Sequence, residues 1–279
     1  RYNVMEEADH DNLRLAIEDM KFINVPGAQW DDYIKAERGD RPCYEFNKLR
    51  VTAKRIINDM RANRIQGKVR GTEGGDKDVA DIYEGLCRNI WNSSDGDTII
   101  DYASEYQVSA GMGAWRVTTE YAHDAAFYQD IKIEAIQNPF CLLSDPAAKD
   151  MLKRDARDWI LTEKISKTEF KTRWPKAEKV SFEATEFDDD DDWEEGESVR
   201  IAEYWYKESV KKEIWLLDDG KVLDSTDEAA QIIEQTTPER IQKRRVVDSD
   251  KIMMCIASGD SIVEKPTEWA GSQFPFIKI

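Results

Sequence analysis

DTIIDYASEYQVSAGMGAWRVTTEY, residues 97–121, changes its apolar rhythm part-way along. Ile99, Ile100, Ala103, Tyr106 and Ala110 recur at helical spacing, as one inward face of a 3.6-residue repeat does. AWRVTTEY, from Ala114, alternates as a half-buried strand does. Between them stand Gly111 and Gly113, the residue type that supplies a positive φ or a close backbone approach at a helix end. Asp97 reads as the helix cap and Trp115 as a core residue at the strand's start. A helix running through glycine into a strand predicts an α+β protein, with N-terminal helices packed on a mixed, mostly antiparallel sheet.

Working towards the N-terminus, Leu13, Ala16, Ile17 and Met20 predict a helix over residues 3–23, ended by Pro26 and Gly27. QWDDYIKAERGDRPCYEF, with Trp30 as a structural residue, links it to a helix from about Asn47 that carries Leu49, Ala53, Ile56, Ile57 and Met60 on one face. IQGKVRG (65–71) reads as a short strand and GTEGGDK (71–77) as a loop; Asp76 or Asp78 then caps the helix DVADIYEGLCRNIWN. Towards the C-terminus, DIKIEAI (130–136) and WILTEKI (159–165) read as strands, and Ser166 with Glu169 as a capping box before a short helix closed by Pro175. RIAEYWYKES and KKEIWLLDDGKVLD read as two strands, the second turning at Asp218–Asp219–Gly220. A helix in STDEAAQIIEQ, capped by Ser225 or Thr226, precedes two or three strands in 239–265 with a turn at Ser258–Gly259–Asp260.

Composition narrows the function. The chain has 279 residues, 57 acidic against 40 basic, for a net charge of −17. Ten acids and no base fall in EATEFDDDDDWEEGE (183–197), and removing them takes the net charge to −7. One solvated loop therefore holds most of the excess. A strongly basic nucleic-acid binder is excluded, and no apolar run reaches the ~18–20 residues of a membrane span. Two histidines and four scattered cysteines, Cys43, Cys87, Cys141 and Cys255, show no metal-ligand spacing. Free, mostly buried thiols are expected, in a reducing compartment. The first residue is Arg1, with an amphipathic pattern already running, and the chain closes on the apolar FPFIKI. The sequence reads as part of a longer protein.

Chemistry-bearing patterns are sparse. GTEGGDK lacks the Walker A and dinucleotide spacings, and Ser104 and Ser109 lack a nucleophile elbow. The acidic run lacks the spacing of a calcium loop. Glu203 and Lys207 are the one pair that invites a metal-dependent nuclease reading. No catalytic, metal or cofactor residue is assigned. Basic residues cluster twice: Lys54, Arg55, Arg61, Arg64, Lys68 and Arg70, then Arg240, Lys243, Arg244 and Arg245. They read as partners of the surplus carboxylates, within or between subunits, or as contacts to DNA phosphates.

Seven segments, in order, resemble one family: QWDD (29–32), KLRVTAKRIINDMRANRIQGKVRG, GGDKDVADIYEGLCRNIW, SAGMGAWRVTTEY, LLSDPAAKDMLKRDARDWI, IAEYWYK, and ERIQKRRVVDSDKIMMCIASGDSIVEK. Together they are similar to the N-terminal wing region of portal proteins of tailed bacteriophages, of the short-tailed podovirus type. The acidic loop at 183–197 departs from that pattern. The resemblance implies one wing-type α+β region over 1–279, with stem, clip and C-terminal crown outside this chain. It implies a ring, usually dodecameric, at the unique capsid vertex of the virion, assembled in the bacterial cytoplasm, through which double-stranded DNA passes during packaging and ejection. The implied partners are further copies of the chain, the terminase large subunit, coat and scaffolding proteins, and tail or head-completion proteins. No catalysis, no cofactor and no membrane are implied. An acidic protein-interaction module of the nucleic-acid-mimic type is the alternative, ahead of the nuclease.

Overall fold

The computed structural model describes residues 1–64, 66–71, 76–175, 177, 198–259 and 261–279. The acidic loop at 183–197, most of the Gly-rich loop and the turn residue Asp260 lie outside the described residues. The chain divides into two compact units: Arg1–Ala156 with Pro275–Ile279, and Arg157–Phe274.

The first unit is built round the helix of the opening sequence. Helices α1 (Tyr2–Asn24), α2 (Asp32–Arg38), α3 (Lys48–Ala62) and α4 (Lys77–Ser93) precede α5 (Gly96–Ala110), and α1, α3 and α4 all pack on α5. Ile99, Ala103 and Ala110 of α5 are buried as expected, and Ile100 and Tyr106 partly so. Asp97 is not the cap. Asp95 takes that place in left-handed backbone, with no side-chain cap bond, and Asp97 in the first turn accepts from Trp91 Nε1 at 2.9 Å. Gly111 ends the helix at φ 74°, its N–H donating to Gln107 O at 2.9 Å. Gly113 is a close approach: a Cβ there would sit 2.1 Å from the carbonyl oxygen of Ala103.

Strand β1 (Ala114–Tyr121) follows, pairing antiparallel with β2 (Gln129–Ala135) on one edge and β9 (Phe276–Lys278) on the other. Trp115 is a correction. It is half-buried, opposite Ala135 and Ile277, while its small neighbour Ala114 is the buried residue. A short 3₁₀ turn, Pro139–Cys141, leads to β3 (Leu142–Ser144), whose two leucines are buried.

The linker between α1 and α3 is folded rather than irregular. α2 interrupts it, Trp30 Nε1 donates to Tyr44 O at 3.2 Å, and Arg38 stacks 5.1 Å over the Trp30 ring. Glu45 accepts from the backbone N–H of Gly27 and Gln29, and Asn47 both caps α3 and donates to Ile23 O. Asp76 caps α4 through the N–H of Asp78. The described part of IQGKVRG, residues 66–71, forms no strand.

The second unit is a long antiparallel sheet. β4 (Asp158–Ser166), β5 (Ser198–Leu217), β7 (Ile241–Ser258) and β8 (Ser261–Glu268) lie in that order, with β6 (Val222–Asp224) beside the end of β5. The two strands expected at 200–224 are one unbroken strand plus a short return, since no Gly or Pro interrupts residues 198–217. Helix α6 (Lys167–Arg173), capped by Ser166 through Glu169 N–H, buries Phe170 against Ile165, Val199 and Ile201. Helix α7 (Glu228–Thr236) begins after Asp227, not Ser225 or Thr226. Asp224 accepts from the N–H and hydroxyl of Thr226 instead. The four cysteines are free, but only Cys255 is buried and Cys87 is exposed, which corrects the expectation of mostly buried thiols.

Candidate functional site: the basic clusters and the two-stranded arm

The two basic clusters meet different fates. Arg61 and Arg64 stand at the end of α3, where their side chains reach the outer turns of α5. Arg61 lies 3.3 Å from Asp101 and 3.8 Å from Glu105, and Arg64 pairs with Asp97 and, at 2.7 Å, with Asp101. Asp97 has its carboxyl held below the usual carboxylate range, first by the Arg64 hydrogen bond and then by the Trp91 indole, and the Arg64 guanidinium is held above its ordinary value by the same pair. These two arginines tie helix to helix. Lys54, Arg55, Lys68 and Arg70 are exposed and form no ion pair among the described residues.

The second cluster sits on a two-stranded arm. β4 covers β5 only from Ser198 to Tyr206, and β8 covers β7 only from Met253 to Ser258. Beyond them, 207–217 and 241–252 pair with each other, and β6 joins only at 214–216. Near the tip, Arg240 pairs with Asp218 at 3.0 Å and Asp219 at 3.3 Å. Arg244 lies opposite Trp215, stacks 4.6 Å over its buried ring, and pairs with Glu234 of α7 at 2.8 Å. Both arginines hold the tip together. Lys243 and Arg245 stand opposite Leu216 and Ile214. They share the other face, because side chains two apart point the same way. Both are exposed and have no ion-pair partner among the described residues.

The nuclease pair does not converge. Glu203 and Lys207 are four residues apart on β5, which separates their Cα atoms by about 13 Å at 3.3 Å per residue. Glu203 accepts from Trp205 Nε1 at 3.3 Å, and Lys207 stacks over Phe274. Among the described residues no three His, Cys, Asp or Glu side chains are grouped to hold a metal ion. Ser104 and Ser109 are buried in α5. Tyr102, whose hydroxyl donates to Gln137 O at 2.8 Å, has its phenol pushed up to about 12, chiefly by burial and then by the Tyr106 hydroxyl. That phenol stays protonated at neutral pH and serves as a donor.

The family description "Phage P22-like portal protein" matches residues 1–279, the whole chain. The chain belongs to the P22-like portal protein family. It is also 28% identical over 285 residues to the portal protein of Acyrthosiphon pisum secondary endosymbiont phage 1, covering 94% of this chain and 39% of that protein. The chain thus spans well under half the length of that portal relative. Among the described residues no helix is long and apolar enough to cross a membrane.

Sequence reasoning grouped the portal chain's arginines by proximity along the chain, whereas the fold sorts them by direction. The register Trp215–Arg244 was the missing signal: once 198–217 is one strand, alternation separates Arg244 from Lys243 and Arg245.

Proposed function

We propose that this chain is the wing region of a portal subunit: part of a closed ring, usually of twelve copies, at the unique vertex of a phage capsid. In this reading the ring is the conduit for double-stranded DNA during packaging and ejection. It is also the docking platform for the terminase large subunit, for coat and scaffolding proteins, and for tail or head-completion proteins. The protein is then a virion component assembled in the host cytoplasm, with a structural rather than a catalytic task. One observation carries the reading: the portal family matches the chain from its first residue to its last.

The charge pattern is consistent with this. A net charge of −17 keeps a DNA conduit from gripping phosphate along its whole surface. Of the two basic clusters, Lys54, Arg55, Lys68, Arg70, Lys243 and Arg245 are the exposed groups left to meet an acidic neighbour or passing DNA. Arg61, Arg64, Arg240 and Arg244 serve the chain's own folding.

Mass by light scattering and negative-stain imaging of the full-length protein test the proposal. A closed ring of about a dozen subunits with a central hole is the expected result. A monomer at every concentration, with scaffolding protein present or absent, would overturn it in favour of an acidic interaction module.

A further inference from the structure

The run Lys243–Arg244–Arg245 sends its side chains alternately to the two faces of the arm, and the faces differ in what covers them. On the Arg244 face, Trp215 is buried and Leu223 of β6 lies opposite it. Helix α7 packs on β6, with Ala230 fully buried, and its Glu234 pairs with Arg244 at 2.8 Å. With its cap, α7 carries Asp227, Glu228 and Glu234 and no basic residue. This face is thus closed by an acidic helix, its apolar side on the strands and a glutamate on the β7 arginine.

The opposite face has the same chemistry without the helix. Ile214 and Leu216 of β5, Val222 of β6 and Val247 of β7 share it, since residues directly opposite on paired strands lie on one face. None of the four is buried, and Val222 is 56% exposed. Lys212 and Asp224, also on this face, pair with each other. That leaves Lys243 and Arg245 along the β7 side, exposed and with no ion-pair partner among the described residues. The apolar strip is about 10 Å wide across three strands and about 20 Å long from Val210 to Leu216, at ordinary strand spacing and rise. A helix with its side chains is about 10–12 Å across.

We infer that this open face of the arm tip is a docking site for an acidic amphipathic helix of another polypeptide. Its apolar side lies on Ile214, Leu216 and Val222, and its carboxylates meet Lys243 and Arg245, as Glu234 of α7 meets Arg244 on the reverse. The inference rests on the proposed portal role for its choice of candidates, a neighbouring polypeptide or DNA, and it selects the first. Two cations release too few counterions to hold duplex DNA at physiological salt. The net charge of −17 repels every anionic partner alike, so apolar contact has to supply part of the attraction. A phosphate backbone offers nothing to Ile214 or Leu216, whereas an amphipathic helix offers both an apolar stripe and carboxylates beside it.

The test uses the full-length protein and three labelled probes, followed by fluorescence anisotropy. One is a synthetic amphipathic helix with leucines on one face and glutamates along its margins. The second is its twin with lysines for the glutamates, and the third is a short duplex DNA. The glutamate peptide is expected to bind, and Lys243→Glu with Arg245→Glu to weaken it about tenfold, as reversal of two exposed ion pairs does. The same variant should gain affinity for the lysine twin, which a merely structural role for these residues would not produce. Val222→Asp, at a side chain already exposed, should weaken both peptides at an unchanged melting temperature. No binding of the glutamate peptide, or binding that ignores both changes, would overturn the inference. So would duplex DNA whose binding falls on charge reversal and which the peptide does not displace. Light scattering on the same samples reads the ring separately. Rings without the peptide effect would remove this inference alone, and the peptide effect without rings would remove the portal reading alone.

Discussion

The two halves of the β5–β7 pairing make an internal control. Both halves pair the same two strands antiparallel, in one register until a shift between Leu216 and Leu217. At the base, residues 199–206 and 252–258 have β4 on one side and β8 on the other, and α6 beneath. Val199, Ile201, Ala202, Trp205, Ile252 and Cys255 are buried there, and burial pushes the Cys255 thiol above its usual range. Along the arm, Glu208, Ser209, Lys211, Asp248 and Asp250 are exposed, and burial returns only at Trp215 and Leu217 near the tip. A two-stranded ribbon is marginal in water by itself. The base is held by a core laid across four strands, and the tip by one indole, two arginines and a short helix.

That contrast can be broken most forcefully at the base. Phe170→Ala empties the buried centre of the cluster with Ile165, Val199 and Ile201 and should cost about 3–5 kcal/mol, read as a lower urea midpoint. An unchanged midpoint would mean that the base is no firmer than the arm.

The next largest effect is at the tip. Trp215→Ala removes the buried ring under Arg244, whose indole N–H has no acceptor among the described residues. The expected loss is about 3 kcal/mol, at the low end for a buried Trp, because the tip can open without the base. Hydrogen exchange should quicken at 210–217 and 241–248 and stay slow at 199–206. Equal acceleration in both halves would show that the sheet opens as one.

Acid should act on the same divide. The Thr226 N–H and hydroxyl hold the Asp224 carboxyl below the usual carboxylate range, and Lys212 adds to this from 3.6 Å. A depressed carboxylate pKa contributes stability above the ordinary value of about 4. That contribution is lost as pH falls through the lower folded value. Lowering the pH through that window should loosen the turn at 224–227 before the Phe170 cluster, and Asp224→Asn should remove the pH dependence there.

The smallest effect is expected on the open face of the arm. Lys243→Glu with Arg245→Glu should change stability by no more than about 0.5 kcal/mol, since neither residue is buried or paired. In the proposed portal role, any effect should appear in assembly or DNA retention. A large drop in melting temperature would show that these residues serve the tip as Arg244 does.

Legibility in the sequence followed how local each cause is. The helix–glycine–strand switch at 97–121 was readable because Gly111 and Gly113 answer to their own backbone and to Ala103, ten residues away. The strand bounds at 114–121 and the Ser166 cap were readable for the same reason. Trp115 was not, because its burial depends on β9, which comes from residues 276–278. The stripe of α4, Val79, Ile82, Tyr83 and Leu86, could be seen as amphipathic but not as outward-facing, since periodicity gives a helix its apolar side without saying what lies against it. The basic clusters failed in a like way: Arg64 and Arg55 look equivalent until α5 supplies Asp97 and Asp101 to only one of them.

The return of residues 275–279 to the first unit has a temporal consequence. Ile279 and Gly113 exchange both backbone hydrogen bonds at 2.8 Å, and Val117 N–H donates to Pro275 O. This edge of β1 is therefore closed by residues made after the whole of 157–274. At ribosomal speeds of about 5–20 residues per second, the edge stays unpaired for on the order of ten seconds in each newborn chain. Unpaired strand edges are where neighbouring chains add on. A nascent chain thus passes through an interval in which the strand that closes this edge is still to arrive.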